Sequence, residues 1–184
     1  MNIENFKNQV YTTRKARINA SERLMKKEGF IKGINIYYSC ILIAFSIYGL
    51  KNQSYILSLL STIASISLTL SLLYVGAQKY SERAADLKKN YIQLQELYFK
   101  IEGITEETPE LIKYREEYIE LLNNSENHSE LDYLKAQISL EKASVKNTLR
   151  YYSVIAWYWF LKMLMIVVPI IVIVLTFVFF ISEG

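Results

Sequence analysis

Residues 33–78 read GINIYYSCILIAFSIYGL (33–50), KNQ (51–53) and SYILSLLSTIASISLTLSLLYVGAQ (54–78). These are two apolar runs joined by three polar residues. The first run has 18 residues, and at about 1.5 Å of helical rise each it is just long enough to cross roughly 30 Å of hydrocarbon. The second carries no charged side chain from Ser54 to Gln78. A soluble helical hairpin would need polar stripes facing water, and neither run has one. The pair therefore reads as a transmembrane hairpin, which makes the chain an all-α membrane protein.

A third apolar block follows at 151–181. It opens with YYSVIAWYWFLK and continues from Met163 to Ile181, 19 residues without a charge. Trp157, Tyr158 and Trp159 have the amphipathic rings of an interfacial belt, and Lys162 is placed to snorkel to a headgroup layer. The block is expected to start along the interface and end as a third span, with Pro169 introducing a kink unless the hydrogen-bond ladder adapts.

Working outward, the chain divides into a basic amphipathic helix (1–32), the hairpin (33–78), a charged helical region (79–150) and the aromatic third segment (151–184). Residues 4–32 hold eight Lys/Arg against three acids. Phe6, Val10, Ile18 and Leu24 are irregularly spaced there, so this helix is expected to lie solvated beside the membrane. Alternatively, its basic residues contact a partner. The hairpin turn has only Lys51, whereas Lys79, Arg83, Lys88 and Lys89 follow the second run. The bias of basic residues puts the N-terminus and 79–150 in the cytoplasm, and sends Glu183 and Gly184 across with the third span. No cleavable leader is expected, because the first apolar run begins only near residue 33 with no small-residue cleavage pattern after it.

Neither Gly nor Pro occurs between Ala77 and Ile101, so the second span is expected to continue unbroken into a soluble helix. Ala84, Leu87, Tyr91, Leu94, Tyr98 and Ile101 alternate spacings of three and four, a heptad-like seam for a bundle or for an oligomer. Thr108 and Pro109 suit the start of a further helix lined by Leu111, Tyr114, Tyr118 and Leu121. After a polar loop at 123–129, Ser129 and Asp132 fit a capping box. Leu131, Leu134, Ile138, Val145 and Leu149 then continue an apolar face, interrupted by Glu141, on a helix expected to lead into the third block.

Composition excludes much chemistry. A net charge of +3 in 184 residues is too small for a nucleic-acid binder, and no direct nucleic-acid contact is expected. Cys40 and His128 are the only residues of their kinds, so neither an intrachain disulfide nor a structural zinc site is expected. With no glycine-rich phosphate loop and His128 in a polar loop, no catalytic residue and no cofactor emerge. The chain does not read as an enzyme.

The second span carries the feature closest to function. Ser58, Thr62, Ser65 and Thr69 repeat at four, three and four residues and share one helical face, while Ser39 and Ser46 lie seven apart on the first span. Small hydroxyl residues bring membrane helices together, or they line a path for ions or solutes once several copies assemble. Without charges such a lining is expected to discriminate poorly between ions, unless basic residues at the mouth contribute. The two readings are an oligomeric pore and a nonconducting scaffold that recruits a cytoplasmic partner.

An N-terminal helix with Arg14, Ala20, Arg23 and Leu24, then a tight hairpin, then Tyr80, Arg83, Ala84, Leu87, Asn90, Tyr91 and Leu94 on a cytoplasmic helix, resembles the SLATT family of prokaryotic two-span effector domains. The resemblance covers about residues 10–150, and the third apolar block departs from a bare two-span pattern. It implies a pore-forming effector of an antiviral defence system that permeabilises the inner membrane and arrests the infected cell; one subunit has too few spans to enclose a wide pore, so a homo-oligomer is expected. The trigger it implies is a sensor protein, a reverse transcriptase system or a nucleotide messenger. The family brings no catalytic residues.

Overall fold

A computed structural model describes the backbone of residues 2–51 and 53–183, and the side chains of these except 176, 177 and 179–183. Asn52 of the expected turn and the C-terminal Gly184 lie outside the described residues. Six helices and no strand occur among them: α1 (Ile3–Lys51), α2 (Tyr55–Ala77), α3 (Tyr80–Glu102), α4 (Pro109–Asn123), α5 (Glu130–Ser139) and α6 (Val145–Glu183). Three helical stretches, in α1, in α2 with its continuation, and in α6, are long and apolar enough to cross a membrane. The chain is an all-α membrane protein, in two compact units, 1–136 and 137–184.

In the first unit α1 is one helix of 49 residues, about 74 Å long at the standard rise. It spans both the basic segment and the first apolar run. Its C-terminal part packs against α2 and its N-terminal part against α3. The basic segment is therefore core, not a solvated surface helix. Phe6, Val10, Ala16, Ala20 and Leu24 are buried on it, as are Thr13 and Arg17. Counted together, positions 6, 10, 13, 17, 20 and 24 alternate spacings of four and three. The seam looked irregular only because Thr13 and Arg17 are two of its members.

Two apolar clusters fix α1 antiparallel to α3. Phe6 and Val10 meet Leu94, Leu97, Ile101, Leu111, Tyr118 and Leu121 at one end. Ala20 and Leu24 meet Tyr80, Ala84 and Leu87 at the other, with Ile31 and Val75 against them. The Phe6 and Tyr118 rings make an edge contact with centroids 5.7 Å apart.

Contrary to expectation, α2 does not run on into α3. Gln78 and Lys79 turn back their N–H groups to Val75 and Gly76, and Lys79 takes a left-handed backbone (φ 49°, ψ 42°). A lysine in this region costs roughly 1 kcal/mol or more, so the surroundings must enforce it. Burial of Tyr80 beneath the Lys27 ammonium, 4.7 Å above the ring centre, anchors the far side of the joint.

At α4, Pro109 occupies the first turn as expected, but the Thr108 hydroxyl makes no capping bond. The Ser129–Asp132 capping box is formed: Ser129 N–H donates to the Asp132 carboxylate at 3.0 Å, and Asp132 N–H to Ser129 Oγ at 3.3 Å.

The second unit holds α6. The expected continuous helix from 131 into the third block is interrupted: α5 stops at Ser139, Glu141 is left-handed (φ 56°), and Ser144 caps the new helix by accepting the Asn147 N–H. From Val145 onward α6 is one helix of 39 residues that continues through Pro169. The expected interface-lying start is therefore absent as a separate element.

Candidate functional site

The hairpin sets the register of the hydroxyl face. Gly49 and Ser58 bring α1 and α2 together near the turn: a Cβ built on Gly49 would lie 3.3 Å from Leu57 Cγ and 3.3 Å from Ser58 Oγ. The chain reverses through Gln53 (φ 52°), and Ser54 Oγ caps α2 by accepting the Leu57 N–H. Leu57, Ser61, Ala64, Leu68 and Val75 form the shielded side of α2, with Ser61 buried. Thr62, Ser65 and Thr69 are exposed, about a third of a turn round the helix at 100° per residue. Ser58 is half-buried where this face meets the tight approach, and Ser39 and Ser46 are half-buried on α1. The last two thus do not share the open setting of Thr62, Ser65 and Thr69.

Every hydroxyl on the stripe donates to its own helix four residues back. Ser58 reaches the Ser54 carbonyl at 3.1 Å, Thr62 that of Ser58 at 2.9 Å, Ser65 that of Ser61 at 2.8 Å and Thr69 that of Ser65 at 3.0 Å. The protons are spent inside the helix, so the outward surface offers oxygen lone pairs. Asn35, unremarked in the sequence, is buried on α1. It donates to the Ile31 carbonyl at 3.2 Å, and its Oδ1 has no partner.

Behind the hairpin, the α3 seam places Ala84, Leu87, Leu94 and Ile101 in the interior, with Tyr91 and Tyr98 half-buried beside it. Asn90 and Leu97 are buried too, and periodicity alone had passed over both. Between the two apolar clusters lies a polar layer. Thr13 Oγ1 and Tyr118 OH share a hydrogen bond of 2.8 Å, and Asn90 donates to the Leu121 carbonyl at 2.7 Å. Arg17, 1% exposed, reaches the Leu122 carbonyl only at 3.5 Å through Nη2, and its Nε and Nη1 have no partner. Burial pulls this guanidinium below the ordinary arginine range, partly opposed by Tyr118 and Glu126. His128, in the α4–α5 loop, stacks on Tyr133. Burial foremost, then the Arg17 charge, holds its imidazole below the usual value, with Asp132 opposing.

On α6, Trp157, Tyr158 and Trp159 are exposed, and the Lys162 ammonium lies 5.6 Å from the Trp159 ring centre. No group of three or more metal-ligating side chains occurs among the described residues.

The sequence matches the family model of SMODS and SLOG-associating 2TM effector domain family 5 over residues 1–180. The chain belongs to this SLATT family. The match runs past the hairpin and through most of α6, so the third apolar helix lies within the matched residues even though the family is described by two spans. Membership makes the chain a membrane effector domain of conflict systems. No curated protein and no solved structure matches it.

Proposed function

We propose that this SLATT protein is a homo-oligomeric pore of the prokaryotic inner membrane, part of an antiviral defence system. In this reading several hairpins assemble with the Thr62, Ser65 and Thr69 faces of α2 around a shared path. The supporting observation is that three hydroxyls share this face, which lies open on the single chain about a third of a turn from the side shielded by α1, with Ser67 and Ser71 outside it. One hairpin cannot enclose a channel, so closure takes a ring of copies. A lining of hydroxyl lone pairs solvates cations and water better than anions, which refines the weak selectivity expected from uncharged side chains. The N-terminus and the bundle of α1, α3, α4 and α5 lie in the cytoplasm, where a sensor, a reverse transcriptase system or a nucleotide messenger delivers the trigger. The chain acts without catalysis, cofactor or direct nucleic-acid contact.

The test is potassium flux from liposomes carrying the purified protein, with Ser65→Leu as comparison. The pore reading expects flux that falls in Ser65→Leu while the oligomer persists. Equal flux in both proteins would reduce the stripe to a packing surface. A stable oligomer without flux, even in cells undergoing triggered arrest, would favour a nonconducting scaffold.

A further inference from the structure

Two arginines converge on the loop between α4 and α5. Arg83, in the first turn of α3, holds the Glu126 carboxylate at 2.7 Å. Arg17, on α1, is fully enclosed and reaches the last turn of α4, just ahead of the loop, through the long contact to the Leu122 carbonyl, four residues before Glu126. Two of its three nitrogens donate to nothing. Glu126 is near enough for its charge to act on Arg17. One carboxylate is thus held by a half-exposed arginine, while a buried arginine that feels its charge lacks acceptors at two of its nitrogens.

We propose that the loop of residues 124–129 is a two-position latch, in which Glu126 pairs with Arg83 at rest and passes to Arg17 in a second state. The energetics favour such poise. An ion pair between half-exposed groups contributes little, because water screens it and competes for both charges. A buried guanidinium without acceptors bears a large desolvation cost, and a charge-assisted bond would offset much of it. Moving one carboxylate exchanges a screened pair for an enclosed one, set against desolvation of the Glu126 carboxylate and the strain of drawing the loop inward, so the two positions are close in energy. Arg83 is not stranded by the exchange. A cavity of about 570 Å³ opens beside it, with the Asp86 and Glu120 carboxylates also in its lining.

The position of Arg83 makes the latch consequential. Its N–H donates to the Lys79 carbonyl at 3.0 Å, so it lies one turn beyond the left-handed joint between α2 and α3. While Glu126 holds Arg83, the start of α3 is tied to the loop. Passing Glu126 to α1, which continues without a joint into the hairpin, unties α3 at the point where it meets the helix bearing the hydroxyls. The consequence for gating rests on the pore reading above; the latch itself does not.

Spin-label distances on the full chain in nanodiscs test it, in a Cys40→Ser background with labels at Asn127→Cys and either Lys88→Cys on α3 or Lys15→Cys on α1. Arg83→Gln should lengthen the loop-to-α3 distance and shorten the loop-to-α1 distance by a few ångströms. Adding Arg17→Met should abolish the shortening, because the second acceptor site is gone. The latch is overturned if Arg83→Gln leaves both distances unchanged, or if the loop moves identically with and without Arg17. Flux need not be measured, so failure of the latch and failure of the pore are separable.

Discussion

Arg23 grips Asp132 with two prongs, Nε to Oδ1 at 2.9 Å and Nη2 to Oδ2 at 2.9 Å, across 109 residues of sequence. The Asp132 side chain is 4% exposed and also caps its own helix through Ser129, while its carbonyl accepts from Asn19 at 3.1 Å. One residue therefore both starts α5 and holds it to α1. Asp132→Ala should cost about 2–4 kcal/mol, the lower end reflecting the 41% exposure of the Arg23 side chain. Denaturant unfolding of the full chain followed by circular dichroism measures it. A loss within about 0.5 kcal/mol, ordinary for a surface change, would show that the pair is ornamental.

Arg17→Met should act in the opposite direction. It replaces a buried, incompletely bonded cation by an apolar side chain of similar reach, an exchange that stabilises other buried charge sites by about 1–4 kcal/mol. The same unfolding measurement should show a higher midpoint. A lower one would mean that the guanidinium is better satisfied than its contacts indicate.

His128 gives the bundle a pH dependence of definite sign. Its folded pKa is depressed, so the unfolded chain binds more protons once the pH falls below the unfolded value of about 6.5. Its contribution is complete above that value and declines as pH falls towards the folded pKa. The facing charges are Arg17, which adds to the depression, and Asp132, which opposes it. Comparing unfolding midpoints at pH 7.5 and 5.5 (about one unit either side of the reference value) should show a loss that His128→Gln reduces. An equal loss in both proteins would assign the dependence to other groups.

Gly49→Leu should disrupt the hairpin, since even a Cβ there is 3.3 Å from Leu57 and Ser58. Gly49→Ala requires a shift of a few tenths of an ångström and should cost less than about 3 kcal/mol, the usual range for overpacking. Protease resistance in membranes, read beside Gly33→Leu where no neighbour lies within 4 Å, separates crowding from a general intolerance of large residues. Equal resistance of the two leucine variants would contradict the close approach.

The hairpin was legible because an uncharged run of this length, closed by a three-residue polar turn, leaves a chain few alternatives to membrane burial. The α3 seam was legible at Ala84, Leu87, Leu94 and Ile101, where apolar identity and helical period agree. The matching face of α1 was not, because Thr13 and Arg17 occupy core positions and break the pattern a hydrophobicity reading follows. The joint at Lys79 was hidden for a different reason. Gly76 stands in the last turn of α2, but no Gly or Pro occupies the turn residues Gln78 and Lys79, and tertiary burial of Tyr80 accompanies a backbone that local preference would avoid. The hydroxyl stripe could be read from spacing, but not which hydroxyls face α1: Ser61 is buried and Thr62, one residue on, is open. The pair of arginines around Glu126 joins residues too distant in sequence for any periodicity to connect.

Cysteine accessibility across α2 tests the central claim most directly. In a Cys40→Ser background, single cysteines at Ser61, Thr62, Ser65, Ser67 and Thr69 are exposed to a small charged thiol reagent while conductance is recorded in a planar bilayer. A pore lined by the open hydroxyl face predicts that modification at Thr62, Ser65 and Thr69 blocks current, while the buried Ser61 and the oppositely facing Ser67 are insensitive. Current unaffected at the first three positions, or blocked at all five alike, would contradict it.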